Sequence, residues 1–139
     1  MPEETDEQLG HYEQRPIFRR GEVLYRPAHY WTSAVHGLLN YLESVDFPYS
    51  PRVLGMDNEG HELLTFLPGE SGVAGWHKII SDDGLAKYAR LLRSYHDAVK
   101  DYKPEHSAQW AYVTGGVGAG ELICHGDFGP WNIAWQGDE

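Results

Sequence analysis

The stretch Pro16-Ile-Phe-Arg-Arg-Gly-Glu-Val-Leu-Tyr-Arg26 contains two short runs of β-forming residues on either side of Gly21. A glycine between two such runs is typical of a hairpin, because glycine adopts the backbone angles that tight turns require. Pro27 follows and cannot donate a ladder hydrogen bond, so it is expected to end the second strand. The stretch therefore predicts an antiparallel hairpin near the start of the fold.

The residues after this hairpin predict a helix and a second hairpin. Thr32 or Ser33 can cap a helix whose apolar residues recur at i, i+3, i+4 and i+7, namely Val35, Leu38, Leu39 and Leu42. Residues 52–55 and 62–67 then form two apolar runs, and the turn-forming residues 57–60 lie between them. The order hairpin, helix, hairpin predicts an antiparallel sheet with one helix.

The second half of the chain predicts a different organisation. Pro68-Gly69 is expected to end the last strand, and the glycine-rich residues 72–76 suggest an irregular connection. A long amphipathic helix is predicted over residues 82–100, beginning at Ser81 or Asp82. We therefore divide the chain into an acidic tail (1–15), a first lobe (16–67), and a connecting segment with a partial second lobe (68–139).

Composition narrows the classes of function. The 139 residues contain 11 Lys and Arg against 21 Asp and Glu, a net charge of −10, which argues against nucleic acid as a partner. No apolar run is long enough to cross a membrane. The single cysteine, Cys124, forbids an internal disulfide and is expected to be a small buried hydrophobe in an apolar strand. These features predict a cytoplasmic protein with no membrane or nucleic-acid partner.

The motif His125-Gly-Asp-Phe-Gly-Pro-Trp-Asn132 is the sharpest chemical signal in the sequence. An Asp in such a loop can accept the proton of a substrate hydroxyl, and an Asn five residues later can bind a Mg²⁺ held by nucleotide phosphates. The same residues also suit an ordinary Gly/Pro turn in which Asp127 and Asn132 bond to their own backbone. Both interpretations are open at this point.

The motif resembles the catalytic loop of the aminoglycoside phosphotransferase family, which reads His-Gly-Asp-x-x-x-x-Asn. Further stretches are similar to the hinge of that family, to the strand before the hinge, and to the helix behind the catalytic loop: Leu64-Thr-Phe-Leu-Pro-Gly-Glu70, Pro51-Arg-Val-Leu-Gly55 and Leu91-Leu-Arg-Ser-Tyr-His96. Residues 26–39 also look like small bacterial members. The resemblance covers roughly residues 18 to 135.

This resemblance implies an α+β, protein-kinase-like fold. It also implies a Mg²⁺-dependent transfer of phosphate from ATP, or from GTP, to a small-molecule hydroxyl. Residue by residue, it makes Asp127 the catalytic base, His125 its supporting residue, and Asn132 the metal ligand. Arg26 occupies the place of the phosphate-binding lysine, and Phe66 and Leu67 lie in the hinge that would hold the nucleotide.

The sequence departs from the family pattern in several places, and no Gly-rich loop precedes the first strand, since Gly10 and Gly21 are the only glycines before residue 37. Arg26 is not a neutral replacement for lysine, and the glutamate that would pair with it falls near His36. The second metal-binding Asp of the family is expected beyond residue 139, and neither Asp138 nor Glu139 replaces it. We therefore expect a truncated kinase that self-associates through its incomplete second lobe. The alternative is an inactive kinase-like remnant that binds nucleotide or a partner protein.

Overall fold

The computed structural model describes residues 5–12, 14–111, 123–125, 128–129 and 132–137. These residues divide into two units. The first unit holds the residues up to Phe66 together with Lys103–Ala111, and the second holds Leu67–Tyr102 with the described residues from 123 onward. In the described part, no helix is both long and apolar enough to span a membrane.

The first unit is built on a five-stranded antiparallel sheet. Its elements are β1 (Glu7–Tyr12), β2 (Arg15–Arg20), β3 (Val23–Pro27), α1 (Thr32–Ser44), β4 (Val53–Met56) and β5 (His61–Thr65), and the strand order is β1-β2-β3-β5-β4. The predicted hairpin around Gly21 is confirmed, because β2 pairs with β3 and Gly21 has a φ of +59°. The second predicted hairpin is confirmed as β4 and β5.

Part of the stretch predicted as an acidic tail forms a strand. Glu7–Tyr12 pairs antiparallel with β2. Two ion pairs accompany this pairing: Arg20 contacts Asp6 at 2.7 Å, and Arg19 lies 3.9 Å from Glu7. Two acidic side chains of the predicted tail, Asp6 and Glu7, therefore meet the two arginines of the neighbouring strand.

Helix α1 supplies much of the core of the first unit. The predicted apolar stripe is confirmed by the buried side chains of Leu38, Leu39 and Leu42. Thr32 is the first residue of the helix rather than its cap, and its hydroxyl accepts a hydrogen bond from the backbone N–H of His29. Leu64 of β5 is the most deeply buried large side chain among the described residues.

The second unit contains α2 (Gly72–Ile79) and α3 (Asp82–Val99). The long helix is confirmed, and the Ser81 hydroxyl caps it by accepting the backbone N–H of Gly84. The irregular connection expected at residues 72–76 is wrong, because these residues form α2. Gly84 allows the two helices to meet closely, since a Cβ there would lie 1.7 Å from the carbonyl oxygen of Lys78.

The core of the first unit predicts that two leucines on neighbouring strands contribute very differently to stability. Leu64 of β5 is 1% exposed, whereas Leu54 of β4 is 52% exposed. Leu64→Ala should lower the free energy of unfolding by about 2–5 kcal/mol, because it removes buried methyl groups and leaves a cavity. Leu54→Ala should cost less than about 1 kcal/mol. Urea denaturation measures both values, and equal losses would contradict this assignment of the core.

Candidate functional site

A buried carboxylate lies where β3, β5 and α1 meet. Glu62 is on β5 directly opposite Arg26 of β3, and its side chain is almost completely buried. The Arg26 guanidinium donates to Glu62 Oε1 from Nε at 2.7 Å and approaches the same oxygen with Nη2 at 2.5 Å. The ion pair therefore joins two neighbouring strands of the sheet.

His36 of α1 completes this group, which we call the Glu62 cluster (Arg26, His36 and Glu62). Its Nε2 lies 2.8 Å from Glu62 Oε2. Both carboxylate oxygens thus have a partner, as a buried carboxylate requires. The cluster holds α1 against the sheet. Its role is structural, because Arg26 and His36 provide the polar partners that the buried Glu62 carboxylate needs.

A second polar group occupies the turn between β4 and β5. Asp57 Oδ1 accepts the backbone N–H groups of Glu59 at 2.9 Å and His61 at 2.8 Å, and Asp57 Oδ2 lies 2.8 Å from His61 Nδ1. Partial burial raises the pKa of Asp57, but the hydrogen bonds from His61 and Glu59 outweigh this effect, so the pKa lies below its usual value. The turn is therefore stabilised by an ionised Asp57.

The side chains of Asp57, Glu59 and His61 could hold a metal ion, since their ligand atoms lie within 4.8 Å of one another. His61 is buried, and its ring packs edge-on against Phe18 and Tyr25. The hydrogen bonds within the turn account for this arrangement without a metal. The sequence analysis missed the group, although alternating Asp, Glu and His in a short turn is a visible signal.

In the second unit, α3 holds the segment that carries the predicted catalytic motif. The hydroxyl of Tyr95 donates to the carbonyl oxygen of Ile123 at 2.8 Å, and that of Tyr88 donates to the carbonyl oxygen of Phe128. The Tyr88 and Phe128 rings also stack with their centroids 4.6 Å apart. Burial raises the pKa of Tyr95 to about 12, with a smaller contribution from Cys124. Two tyrosines seven residues apart on α3 thus bond to the backbone of Ile123 and Phe128.

Of the predicted catalytic residues, Asp127 lies outside the described residues. His125 is exposed, and its ring meets Phe128 edge-on. Asn132 is also exposed, and its backbone N–H donates to the carbonyl oxygen of Gly129 at 3.0 Å. The described atoms therefore do not test whether His125, Asp127 and Asn132 form one site, and their roles stay predictions.

The residues predicted to bind the nucleotide have other contacts in the structure. Arg26 belongs to the Glu62 cluster, and the Arg19 guanidinium lies 4.0 Å from the centroid of the Phe66 ring. Leu67 is exposed. The sequence analysis expected no carboxylate partner for Arg26 because His36 stands where the helix glutamate should be. It overlooked Glu62, a charged residue inside an apolar strand, which is a signal of a buried pair.

The end of the described chain meets the start of the second unit through backbone hydrogen bonds. Trp135 and Glu70 exchange two such bonds at 2.8 and 2.9 Å. Gly69 is needed beside them, because a Cβ at this position would lie 2.6 Å from the Trp135 carbonyl oxygen. Trp135 is buried, and its indole N–H has no hydrogen-bond partner among the described residues. The two bonds between Glu70 and Trp135 form an isolated antiparallel bridge.

A cavity of about 220 Å³ adjoins Trp135 and the facing ends of α2 and α3. Two of its lining lysines are ion-paired: Lys78 lies 3.3 Å from Glu70, and Lys87 lies 3.2 Å from Asp83. Cys124 does not follow its prediction, since it is exposed and outside any strand. The apolar run that contains it, Leu122-Ile-Cys124, is too short to predict burial.

Comparison with known proteins gives one informative relative. The chain is 38% identical over 122 residues to the trifolitoxin immunity protein of Rhizobium leguminosarum bv. trifolii. The match takes 84% of this chain but 45% of the relative, so the chain spans about half the length of the protein it matches. No protein-family model and no solved structure matches the chain.

These findings contradict the predicted kinase. The relative is named for immunity rather than phosphoryl transfer, and no match to the aminoglycoside phosphotransferase family supports that assignment. The prediction of an enzyme and its classification as an ATP-binding kinase are therefore wrong. The alternative of an inactive kinase-like remnant is not supported either. The error came from a motif with four specified positions in eight residues, which a Gly/Pro turn can reproduce. The protein-kinase-like fold itself stays a prediction, because no solved structure tests it.

The Glu62 cluster predicts that removal of its negative charge weakens the first unit. Glu62→Gln should lower the free energy of unfolding by about 1–3 kcal/mol, because the amide has no negative charge to offset Arg26 and replaces one of the two acceptor oxygens that Arg26 and His36 contact with an NH2 donor. Glu22→Gln is the matched control, since Glu22 is exposed and pairs with Arg19 on the surface. Denaturation with urea gives both values, and an equal effect would refute a structural role for the cluster.

The turn around Asp57 predicts a loss of stability in acid. A carboxyl group whose pKa is lower in the folded chain stabilises the fold above its unfolded pKa, and this contribution disappears as the pH falls through the folded pKa. The usual value for Asp is 3.8, so the wild-type unfolding temperature should fall below about pH 4. Asp57→Asn should show a shallower decline. Calorimetry across this range measures the two slopes, and parallel curves would contradict the prediction.

Proposed function

We propose that this protein takes part in immunity to trifolitoxin or to a toxin closely similar to it. The observation that carries this proposal is the 38% identity to a trifolitoxin immunity protein over 84% of the chain. A stretch of that length includes the core of the first unit and both helices of the second, wherever it begins. The likeness therefore extends over a folded structure and is not limited to one motif.

We infer that protection does not require the chemistry predicted for Asp127. The name of the relative supports a protective role, and the clearest cationic group of the first unit, Arg26, is engaged by Glu62. A guanidinium that satisfies a buried carboxylate is well suited to hold a fold together. Binding of ATP or GTP, of Mg²⁺ or of a small-molecule hydroxyl stays a prediction from the sequence.

We also propose that the protein acts in the cytoplasm. Two observations support this location: the described residues contain no helix suited to cross a membrane, and the sequence has a single cysteine, as is common where thiols stay reduced.

The immunity proposal predicts that the chain protects a sensitive cell. A trifolitoxin-sensitive strain that expresses the chain should tolerate more toxin than the same strain with an empty vector. Leu42→Asp should abolish the difference, because it places a charge at a buried position of α1. Asp127→Asn should protect as well as the wild type. The measurement is the minimum inhibitory concentration of trifolitoxin, with protein levels checked by immunoblot.

Two outcomes would count against this account. A folded, well-expressed chain that protects no better than the vector would contradict the immunity proposal, provided that the full-length relative protects in the same strain. Protection that is lost in Asp127→Asn at an unchanged protein level would contradict the inference that Asp127 chemistry is dispensable.

A further inference from the structure

The turn between β4 and β5 brings together three side chains that carry metal-binding atoms. Asp57 and Glu59 offer carboxylate oxygens, His61 offers an imidazole nitrogen, and these atoms all lie within 4.8 Å of one another. Gly60, with a φ of +84°, forms the turn just before β5 begins at His61. The three side chains belong to one short stretch of chain, so their spacing does not depend on how distant parts of the protein are arranged.

Backbone hydrogen bonds hold this turn in place. Asp57 Oδ1 accepts the N–H groups of Glu59 and His61, and the Asp57 N–H donates to the His61 carbonyl oxygen at 3.1 Å. The Gly60 carbonyl oxygen accepts the N–H of Ala28 at 2.8 Å. The His61 ring is 9% exposed and packs against two aromatic rings of the neighbouring strands. These contacts hold the turn with or without an ion, so a metal would meet ligands that are already positioned.

The Glu59 carboxylate takes no part in these bonds. It is exposed and has no hydrogen-bond or ion-pair partner among the described residues, yet one of its oxygens lies within 4.8 Å of an Asp57 carboxylate oxygen. Two carboxylates this close repel each other. Arg15 donates to the Gly60 carbonyl oxygen at 3.3 Å, and its single charge leaves the two carboxylates with a net charge of −1. A divalent cation between the carboxylates would remove the repulsion.

The distance between two of the ligand atoms suits a metal ion. Asp57 Oδ2 lies 2.8 Å from His61 Nδ1. Bonds from Zn²⁺ to nitrogen or oxygen are about 2.0–2.2 Å long, so two ligands in adjacent positions are roughly 3 Å apart. The ion would displace the proton that His61 Nδ1 donates to Asp57. That proton leaves to water, and Nε2, which makes no hydrogen bond with a described residue, takes up another one.

We propose that Asp57, Glu59 and His61 bind a divalent transition-metal ion of the Zn²⁺ type, which we call the turn metal site. Two carboxylates and one imidazole are its protein ligands, and water completes the coordination. The imidazole nitrogen favours such an ion over Mg²⁺ and Ca²⁺, which prefer oxygen ligands alone. The bound ion ties the end of β4 to the start of β5. The proposal rests on the residues of the turn and is independent of immunity.

The test is a calorimetric titration of Zn²⁺ into the full chain, prepared without an affinity tag. All proteins carry Cys124→Ser, because the exposed thiol of Cys124 also binds Zn²⁺. Glu59→Gln is the decisive variant, since its side chain makes no described bond and its loss leaves the turn intact. His96→Asn is the matched control, because it removes an imidazole from α3.

We expect the starting protein to bind one Zn²⁺ per chain, Glu59→Gln to bind it about tenfold more weakly or worse, and His96→Asn to bind it unchanged. In an NMR titration of the imidazole nitrogens, the largest shift should fall on Nδ1 of His61. Excess Zn²⁺ should raise the unfolding temperature of the starting protein more than that of Glu59→Gln.

Three results would overturn the turn metal site. The first is no saturable binding of one Zn²⁺ per chain, and the second is an equal affinity in Glu59→Gln, which would assign the binding to scattered surface groups. The third is that Mg²⁺ binds as tightly as Zn²⁺, or that the largest imidazole shift falls on another histidine, because His61 would then not be a ligand.

Discussion

The carboxylate of Glu62 lies buried where β3, β5 and α1 meet, and a buried carboxylate is unfavourable unless charged or hydrogen-bonding groups surround it. Arg26 supplies one partner from the neighbouring strand, and His36 supplies the other from the helix. Leu64 follows two residues later on β5, so it faces the same side of the sheet. The face of β5 that carries Glu62 and Leu64 therefore links the register of β3 and β5 to the position of α1.

The second unit has no comparable centre among its described residues. Contacts among its described residues include a glycine corner between two helices, two tyrosines that bond to Ile123 and Phe128, and a backbone bridge at Trp135. Four large apolar residues of this region, Val73, Trp76, Ile80 and Leu85, are exposed, whereas most apolar residues of α3 are half-buried.

Local patterns were sufficient to predict most of the first unit and the long helix. The glycine of the β2–β3 turn, the apolar stripe of α1 and the serine cap of α3 each act over a few residues, so the sequence displays them directly. Helix α2 was missed because Gly72 and Gly75 suggested irregular backbone, although Val73, Trp76 and Ile80 carried the helical spacing. The strand β1 was missed because Asp6 and Glu7, at its start, pair with Arg20 and Arg19 of β2, which lie more than ten positions away.

The functional prediction failed for a related reason. Glu62 and its partner Arg26 are 36 residues apart, so no local pattern shows that they pair. The motif at residues 125–132 is local and visible, but a few matching positions in a glycine-rich turn do not determine a reaction. The match over most of the chain is a broader observation, and it replaces phosphoryl transfer with immunity as the function to be tested.

Hydrogen–deuterium exchange on the full chain tests most directly whether stability is concentrated around Glu62 and Leu64. Amides in a well-packed core exchange only through large-scale unfolding, whereas helices with few buried contacts open locally. The backbone amides of α1, β3 and β5 should therefore exchange slowest, and those of α2 and the first half of α3 should exchange clearly faster. If α2 and α3 exchange as slowly as β5 in the isolated chain, they are already part of the core, and this account of the fold is wrong.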